Sequence, residues 1–209
     1  MACEGTDVPG FKDLSITTKD GVYEPAEDSF LAAEMAMDHI GRSKSSKMEV
    51  ADIGTGSGIL GLSAATSPKV SSVTFADINP GAIELAKANA EANRKLLKAS
   101  CRFVVSDLFA GVKGDFDLIM FNAPYLPAEE GKSNPVDLIG GKKGVELSIR
   151  LMAHAEGHMK DGSRLLLVCS SLSDTNALLA HVKSSGLRVY GSRKAHFFFE
   201  DIIAMMLGR

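Results

Sequence analysis

Strand-like and helix-like segments alternate along most of this chain, and the alternation restricts its fold more than any other feature. Short runs rich in apolar and β-branched residues cover residues 49–53, 72–77, 101–105, 117–121 and 164–169. Helical patterns are predicted over residues 25–40, from about 58 to 66, from Asn79-Pro80 onward, and over residues 146–159 and 178–183. Repeated strand–helix–strand units predict a parallel sheet with helices on both faces.

The end of the chain has a different pattern. Residues 187–190 and about 199–207 are both predicted as strands, and their close spacing favours an antiparallel hairpin over another crossover. Residues 127–143 contain prolines, glycines and three lysines, which are typical of a longer mobile loop. We expect a single α/β domain over residues 1–209, with residues 1–22 as a partly mobile N-terminal extension.

The composition disfavours several classes of protein. A chain of 209 residues, with 45% hydrophobic and 23% charged residues, is typical of a soluble globular domain. A net charge of -3 disfavours a dedicated nucleic-acid binder, and no apolar run is long enough to span a bilayer. The three cysteines form no close pair and residues 1–12 lack the apolar core of a secretion signal, so a reducing, cytoplasmic location is expected.

A glycine-rich segment, Asp52-Ile53-Gly54-Thr55-Gly56-Ser57-Gly58, joins the first of these strands to the next helix. Glycines allow a tight turn and a close approach of ligand to backbone, and ligands of open α/β sheets bind at the carboxyl ends of strands. Ile59 occupies the place of the third glycine of a dinucleotide fingerprint, and no P-loop Gly-Lys-Ser/Thr follows. An acidic residue before these glycines fits a ligand with a cationic amino group, such as S-adenosylmethionine. A purely structural turn is the alternative.

Two more aspartates follow strands of the same predicted sheet. Asp77 can accept hydrogen bonds from both hydroxyls of a ribose, or cap the following helix. Asp107 can accept from an exocyclic amine such as that of adenine, or lie solvated in a loop. Ile78 and Leu108, which follow them directly, are predicted to contact the same ligand. The order of the three aspartates along the sheet predicts one continuous cleft.

An apolar strand followed by an amide and an aromatic ring forms the second chemical signal, Asp117-Leu-Ile-Met-Phe-Asn-Ala-Pro-Tyr125. The carbonyl of Asn122 and a nearby backbone carbonyl can both accept from one NH2 group, which aims the nitrogen at an electrophile. Tyr125 can stack on a flat amide or base. Such a nitrogen is a poor nucleophile, so positioning is the main expected contribution of the protein. The segment predicts methylation of a planar nitrogen; a turn that only ends a strand is the alternative.

Taken together, the glycine-rich segment, the strand-end aspartates and Asn-Ala-Pro-Tyr resemble class I methyltransferases that use S-adenosylmethionine. The tetrapeptide is similar to their Asn-Pro-Pro-Tyr motif. Four segments resemble the short archaeal and eukaryotic HemK-type protein-glutamine methyltransferases: Val22-Tyr-Glu-Pro-Ala-Glu-Asp-Ser-Phe30, Asp77-Ile-Asn-Pro80, Gly140-Gly-Lys-Lys-Gly144 and Phe198-Phe-Glu200. This resemblance implies a Rossmann-like seven-stranded sheet, mostly parallel, with a C-terminal antiparallel hairpin.

The same resemblance implies a substrate, a cofactor and partners. The cofactor would be S-adenosylmethionine, and the substrate the glutamine of the Gly-Gly-Gln motif of a class I peptide release factor. A nucleic-acid N6-adenine or other amino group, a protein lysine, and a role as a catalytically weakened cofactor-binding subunit are the alternatives. A small zinc-binding activator protein would pair with an edge strand at residues 101–105.

Roles for individual residues also follow from the resemblance. Asn122 and the carbonyl of Ala123 would hold the target amide, with Pro124 and Tyr125 completing the catalytic motif. The cofactor or target pocket would contain Tyr23, Glu27, Asp52, Gly54, Gly56, Asp77, Ile78, Asp107, Leu108 and Asn122.

Ala123 departs from the family pattern, which has proline at this position. Loss of a fixed φ angle changes stability by about 0.4–1 kcal/mol, and alanine adds an N–H that needs a partner. We expect weaker preorganisation of the motif, with the carbonyl acceptor retained.

His154 and His158 are spaced four residues apart on a predicted helix, which brings them to one face. The order is not His-Glu-x-x-His and no third ligand is evident, so a structural role is predicted and no metal site.

Overall fold

The computed structural model describes residues 6–8, 11–122, 124–128, 139–197 and 199–209. Its helices are α1 (Glu27–Arg42), α2 (Ile59–Ala65), α3 (Pro80–Ala92), α4 (Glu146–Ala155) and α5 (Thr175–Ser184), with a short 3₁₀ helix at Glu156–His158. Its strands are β1 (Thr6–Val8), β2 (Phe11–Ile16), β3 (Met48–Ile53), β4 (Val70–Asp77), β5 (Ser100–Val105), β6 (Phe116–Phe121), β7 (Met159–Ser170), β8 (Arg188–Phe197) and β9 (Glu200–Gly208).

Seven strands form one sheet in the order β5-β4-β3-β6-β7-β9-β8. The first five are parallel, whereas β9 runs antiparallel to both β7 and β8. The predicted mostly parallel sheet with a C-terminal antiparallel hairpin is therefore confirmed. The chain moves outward from β3 through β4 to β5 and then returns to the other side of β3 with β6. This reversal opens a crevice at the carboxyl ends of the strands, where α/β proteins bind ligands.

Helix α3 begins where the sequence predicts it, because Asn79 Oδ1 accepts a hydrogen bond from the Gly81 backbone N–H at 2.8 Å and Pro80 occupies the first turn. The helix ends at Ala92. Leu96 and Leu97 lie beyond this end. Likewise the predicted helix over residues 146–159 ends as an α-helix at residue 155 and tightens into the 3₁₀ turn.

Strands β1 and β2 form a separate antiparallel pair that the sequence did not predict. Leu14 and Ile16 of β2 are buried, at 2% and 1% exposure, and belong to the core on one side of the large sheet. Two buried side chains, Asn89 of α3 and Asn93 directly after this helix, hydrogen-bond to backbone groups at residues 15 and 17. The described part of the N-terminal segment is thereby attached to the domain.

Apolar side chains fill both faces of the sheet. Helices α1, α2 and α3 pack on one face and helices α4 and α5 on the other, which gives three layers. Strands β3 and β6, at the centre of the sheet, are almost continuously buried, as expected for parallel strands covered on both sides. Among the described helices, none has the length and apolar character needed to cross a membrane.

Candidate active site

A cavity of about 600 Å³ opens at the carboxyl ends of β3, β4, β5 and β6. A volume of this size is typical of a site for a small molecule. Its lining includes most of the residues predicted to form the site: Tyr23, Asp52, Gly54, Gly56, Asp77, Ile78, Asp107, Leu108, Asn122, Pro124 and Tyr125.

The glycine-rich segment forms the floor of this cavity. Gly54, Gly56 and Gly58 have φ angles of 65°, 54° and 88°, in the left-handed region that side chains disfavour. The segment therefore turns from β3 into α2 with its backbone facing the cavity.

Asp52 at the end of β3 holds this turn together. Its Oδ2 accepts hydrogen bonds from the Thr55 hydroxyl at 2.6 Å and from the Gly61 backbone N–H at 2.9 Å. Burial raises the pKa of Asp52 to about 7, although both hydrogen bonds act in the opposite direction. Asp52 is thus part of the cavity wall and the internal support of the turn.

Asp77 at the end of β4 is fixed by backbone donors on both of its oxygens. The Gly56 N–H donates to Oδ2 and the Asn79 N–H donates to Oδ1, both at 2.9 Å. Each carboxylate oxygen has capacity for a further donor. The carboxylate is held where a pair of ligand hydroxyls can reach it, and the neighbouring Ile78 side chain is 68% exposed beside the cavity.

Asp107 follows β5 and forms an ion pair with Arg150 of α4, which also lines the cavity. Its neighbour Leu108 has a φ angle of 48°, a conformation that costs a residue with a side chain about 1–2 kcal/mol. Ser106 stabilises this bend, because its hydroxyl donates to the Leu108 carbonyl and accepts from the Gly111 N–H. Leu108 is buried, so the bend supplies an apolar wall.

Asn122 follows β6, and the nitrogen and oxygen of its side-chain amide differ in their hydrogen-bond partners. Its Nδ2 lies 3.2 Å from both Asp28 Oδ2 and the Ser29 hydroxyl oxygen. These contacts account for both hydrogens of the amide nitrogen. Its Oδ1 is buried and has no hydrogen-bond partner among the described residues. A buried acceptor without a donor is costly, and a ligand N–H group at this position would satisfy it.

Asp28, in the first turn of α1, joins the N-terminal segment to the Asn122 motif. Its side chain accepts from the hydroxyls of Tyr23 at 3.2 Å and Tyr125 at 3.1 Å, as well as from Asn122. The Ser29 N–H and hydroxyl also donate to it. We call Tyr23, Asp28, Ser29, Asn122 and Tyr125 the Asp28 cluster.

Both phenols of the Asp28 cluster remain protonated. Burial, followed by the nearby charge of Asp28, raises the pKa of Tyr23 and of Tyr125 well above the usual range for tyrosine. The tyrosines therefore act as hydrogen-bond donors to Asp28 and as aromatic walls, and not as bases.

A family model described as the methyltransferase small domain matches residues 13–189 of this sequence. The chain belongs to this family. The predicted resemblance to HemK-type methyltransferases is confirmed.

Curated relatives of this methyltransferase support the same assignment. A protein from Methanocaldococcus jannaschii named as a protein N5-glutamine methyltransferase is 34% identical over 188 residues, which cover 88% of this chain and 90% of the relative. The release factor glutamine methyltransferase of Deinococcus radiodurans is 31% identical over 183 residues, covering 83% of this chain but only 63% of the relative. The chain thus matches less than two thirds of this longer bacterial protein.

A solved structure confirms the likeness in fold. The Mtq2–Trm112 complex of E. cuniculi, described as methylating the eRF1 translation termination factor, contains a chain that superposes with a TM-score of 0.64 at 22% identity. The match covers 89% of this methyltransferase and 97% of that chain.

The Gly140–Gly144 segment packs directly against the backbone of residues 124–126. A Cβ atom at residue 140 would lie 2.5 Å from the Pro124 carbonyl oxygen, and one at residue 144 would lie 2.2 Å from that of Tyr125. The Gly140 N–H donates to the Leu126 carbonyl at 2.9 Å. Residues 127–143 were predicted as a mobile loop; residues 129–138 of it lie outside the described residues, and the rest supports the motif.

One of the predicted site residues lies elsewhere. Glu27 is exposed at the start of α1 and does not line the cavity, whereas its neighbours Asp28 and Ser29 do. Ala123 lies outside the described residues, so its predicted carbonyl contact stays a prediction.

The sequence contained a signal that would have identified Asp28. The buried stripe of α1 includes Ala32, Ala36 and Ile40. One helical turn before Ala32, this stripe reaches Asp28 and not Glu27. A carboxylate on the apolar face of a helix requires partners inside the protein, and here those partners are the motif residues.

Of the two histidines, His158 packs against an aromatic ring. His158 stacks on Phe109 with ring centroids 4.5 Å apart, and its Nδ1 lies 2.8 Å from the Gly114 carbonyl oxygen. Within the described ranges, no group of three or more His, Cys, Asp or Glu side chains could hold a metal ion.

Proposed function

We propose that this chain uses S-adenosylmethionine to methylate the side-chain amide of the glutamine in the Gly-Gly-Gln motif of a class I peptide release factor. The observation that carries the proposal is the buried Oδ1 of Asn122, which has no partner in the part of the chain that the structure describes and lies at the wall of a cavity of cofactor size. The names of the archaeal and bacterial relatives support the choice of glutamine as substrate.

The charges around the cavity favour this cofactor over a phosphate-bearing one. Asp28, Asp52, Asp77 and Asp107 line it, and among the described lining residues the only basic one, Arg150, is paired with Asp107. An acidic site attracts a cationic ligand and repels phosphates. When bound there, S-adenosylmethionine supplies an electrophilic methyl group on a sulfonium sulfur.

Each part of the cavity suits one part of such a ligand. Asp77 would accept from the ribose hydroxyls, and the exposed Ile78 side chain together with Leu108 would contact the adenine ring. Asp107 would accept from the adenine amino group through the oxygen that Arg150 does not engage. Asp52 would stabilise the cationic amino-acid end from behind the glycine-rich segment.

The acceptor side of the site uses Asn122 and Tyr125. Asn122 Oδ1 would accept one hydrogen of the target amide, which satisfies the buried oxygen and directs the nitrogen toward the cavity. The Tyr125 ring, held by its hydroxyl on Asp28, would pack on the flat amide. The amide nitrogen is a weak nucleophile. Holding it in the correct orientation makes a bimolecular step effectively unimolecular, which is the contribution expected from these two residues.

The test is methyl transfer from isotope-labelled S-adenosylmethionine to three substrates: a class I release factor, the same factor with its Gly-Gly-Gln glutamine changed to alanine, and an adenine-containing oligonucleotide. Mass spectrometry should locate the methyl group on the glutamine of the first substrate alone. Methylation of the oligonucleotide, of a lysine, or of the glutamine-free factor would overturn the proposed substrate. Cofactor binding without any transfer would instead favour a weakened, non-catalytic subunit.

Substitution of Asn122 tests the observation on which the proposal rests. We expect Asn122→Ala to lower kcat for the release factor by roughly 100- to 1000-fold, as loss of one preorganised hydrogen-bonding group does at other active sites. Binding of S-adenosylmethionine, followed by calorimetry, should persist. Wild-type activity in this variant would contradict the assigned role.

We further propose that a small zinc-binding activator pairs with β5. Support comes from the position of β5 at the sheet edge, the 53% exposure of Val105, and the Trm112 subunit in the related complex. Exposed strand edges accept an added strand through backbone hydrogen bonds. Co-expression with a Trm112-type protein should raise the soluble yield and give a 1:1 complex. A fully active, stable chain expressed alone would count against a required partner.

A further inference from the structure

Asp28 occupies an unusual position for a carboxylate. It is 4% exposed, and five groups donate to it: the Tyr23 and Tyr125 hydroxyls, the Asn122 amide nitrogen, and the Ser29 N–H and hydroxyl. All five donors are neutral. Burial of a carboxylate is costly, and a set of hydrogen bonds this complete is what allows it.

The hydrogen bonds fix which end of the Asn122 amide faces the cavity. A carboxylate accepts and cannot donate, so Nδ2 must point to Asp28 Oδ2. The second amide hydrogen points to the Ser29 hydroxyl, which in turn donates to Asp28 Oδ1. Rotation of the amide by 180° would place its oxygen against the carboxylate and break both bonds.

The carboxylate also changes the strength of Asn122 as an acceptor. A hydrogen bond from an amide nitrogen to a charged acceptor polarises the amide and makes its carbonyl oxygen a better acceptor, because neighbouring hydrogen bonds reinforce one another at low dielectric. As a target nitrogen gains the methyl carbon it gains positive charge, and its N–H groups become stronger donors. The contact with Oδ1 would therefore strengthen as the reaction proceeds.

We propose that Asp28 is a positioning residue that acts through Asn122: it fixes the amide with Oδ1 toward the methyl acceptor and increases the acceptor strength of that oxygen. This inference rests on the proposed N-methyltransferase function. A residue of α1, outside the Asn-Ala-Pro-Tyr motif, would thus control the orientation of the Asn122 amide.

The decisive variant is Asp28→Asn, which keeps the size of the side chain and removes its charge. We expect kcat for the release factor at saturating S-adenosylmethionine to fall roughly tenfold to a hundredfold, the effect that outer hydrogen-bond partners have on ligating residues at metal sites. Asp28→Glu, which retains the carboxylate, should recover part of the loss. Glu24→Gln removes an exposed acid from the same N-terminal segment and should leave kcat unchanged within twofold.

A second measurement does not depend on turnover. In protein labelled with ¹⁵N-asparagine, the Asn122 side-chain NH2 should exchange slowly with solvent, because both hydrogens are bonded inside the protein. Asp28→Asn should speed this exchange at least tenfold. If release factors prove not to be substrates, this measurement still tests the contact, and only the proposed function fails.

Folding of the variants is checked by circular dichroism and thermal unfolding. Should Asp28→Asn fail to fold, Ser29→Ala serves in its place, since it removes the second acceptor of the amide and keeps the carboxylate; a twofold to tenfold loss of kcat with faster exchange is expected. Full kcat together with slow Asn122 exchange in a folded Asp28→Asn or Ser29→Ala protein would overturn the inference.

Discussion

At the scale of single residues, two buried aspartates face the same cavity with different sets of partners. Asp28 accepts from five donors, whereas Asp52 accepts from the Thr55 hydroxyl and the Gly61 N–H alone. Burial dominates at Asp52 and raises its pKa to about 7. At Asp52, burial therefore outweighs the two hydrogen bonds, which act in the opposite direction.

The pKa of Asp52 predicts a dependence of stability on pH. In the unfolded chain its pKa is about 3.9, so between about pH 4 and pH 7 the folded protein holds a proton that the unfolded chain has lost. The contribution of Asp52 to the free energy of unfolding is fully present below pH 4, decreases as the pH rises, and is constant above about pH 7. We expect the stability of wild type relative to Asp52→Asn to decrease over this window.

Urea unfolding of both proteins at pH 5, 6, 7 and 8 measures this difference. The limiting slope for one proton is about 1.4 kcal/mol per pH unit. Parallel stability curves for the two proteins across pH 5–7 would contradict the raised pKa.

Sequence reasoning at this scale succeeded where a residue follows a strand directly. Asp52, Asp77, Asp107 and Asn122 were predicted because apolar runs locate strand ends, and the topology then brings those ends together. Asp28 was not predicted, although its place on the buried stripe of α1 marks it as a buried carboxylate. Its partners Asn122 and Tyr125 are 94 and 97 residues away in the chain, and only the folded packing of α1 on the sheet brings them within reach.

At the scale of elements, the backbone of Pro124 and Tyr125 is held by glycines of a neighbouring segment. Gly140 and Gly144 lie against the carbonyls of Pro124 and Tyr125, and the Ser173 hydroxyl donates to the Tyr125 carbonyl from the loop after β7. The motif is therefore supported by two separate loops.

We predict that Gly144→Ala strongly lowers the activity of the enzyme. Residue 144 has a φ angle of 73°, which costs alanine about 1–2 kcal/mol, and the added Cβ would also displace the Tyr125 backbone. Gly114→Ala is the matched control, because residue 114 has a φ angle of 102° with nothing within 4 Å of the added atom. We expect both variants to lose stability in urea and only Gly144→Ala to lose more than tenfold in kcat.

Equal activity of the two glycine variants would contradict the supporting role of the 140–144 segment. The sequence pointed to this segment as a family feature and as a flexible loop, but not to its contacts. Glycine content indicates conformational freedom; that the freedom serves a close backbone approach is visible only when the neighbouring chain is in place.

At the scale of the whole molecule, the N-terminal strand pair connects the fold to the cofactor site. Asn89 of α3 is 1% exposed; its Oδ1 accepts from the Thr17 N–H and hydroxyl, and its Nδ2 donates to the carbonyls of Thr17 and Ser57. Ser57 belongs to the glycine-rich segment. One side chain thus joins the N-terminal segment, α3 and the cofactor turn.

The sequence predicted the large sheet but not this attachment. The central parallel strands are recognisable by their apolar runs, whereas β2, which has six residues as β3 does, alternates its buried Leu14 and Ile16 with polar residues. Hydrogen bonds with two asparagines 72 and 78 residues away also attach this segment, and no local pattern reveals them.

Asn89 and its neighbour Asn93 offer a matched pair of variants. Both bind the backbone of the N-terminal segment, but only Asn89 also binds Ser57. Asn89→Ala and Asn93→Ala each remove several hydrogen bonds to partly buried backbone groups, so each should lower the free energy of unfolding by about 1–3 kcal/mol. We expect Asn89→Ala alone to weaken S-adenosylmethionine binding, by about tenfold, because only it releases the glycine-rich segment. Calorimetric titration at a temperature where both variants are folded measures this difference, and an equal affinity in the two would mean that the N-terminal segment stabilises the domain without supporting the cofactor site.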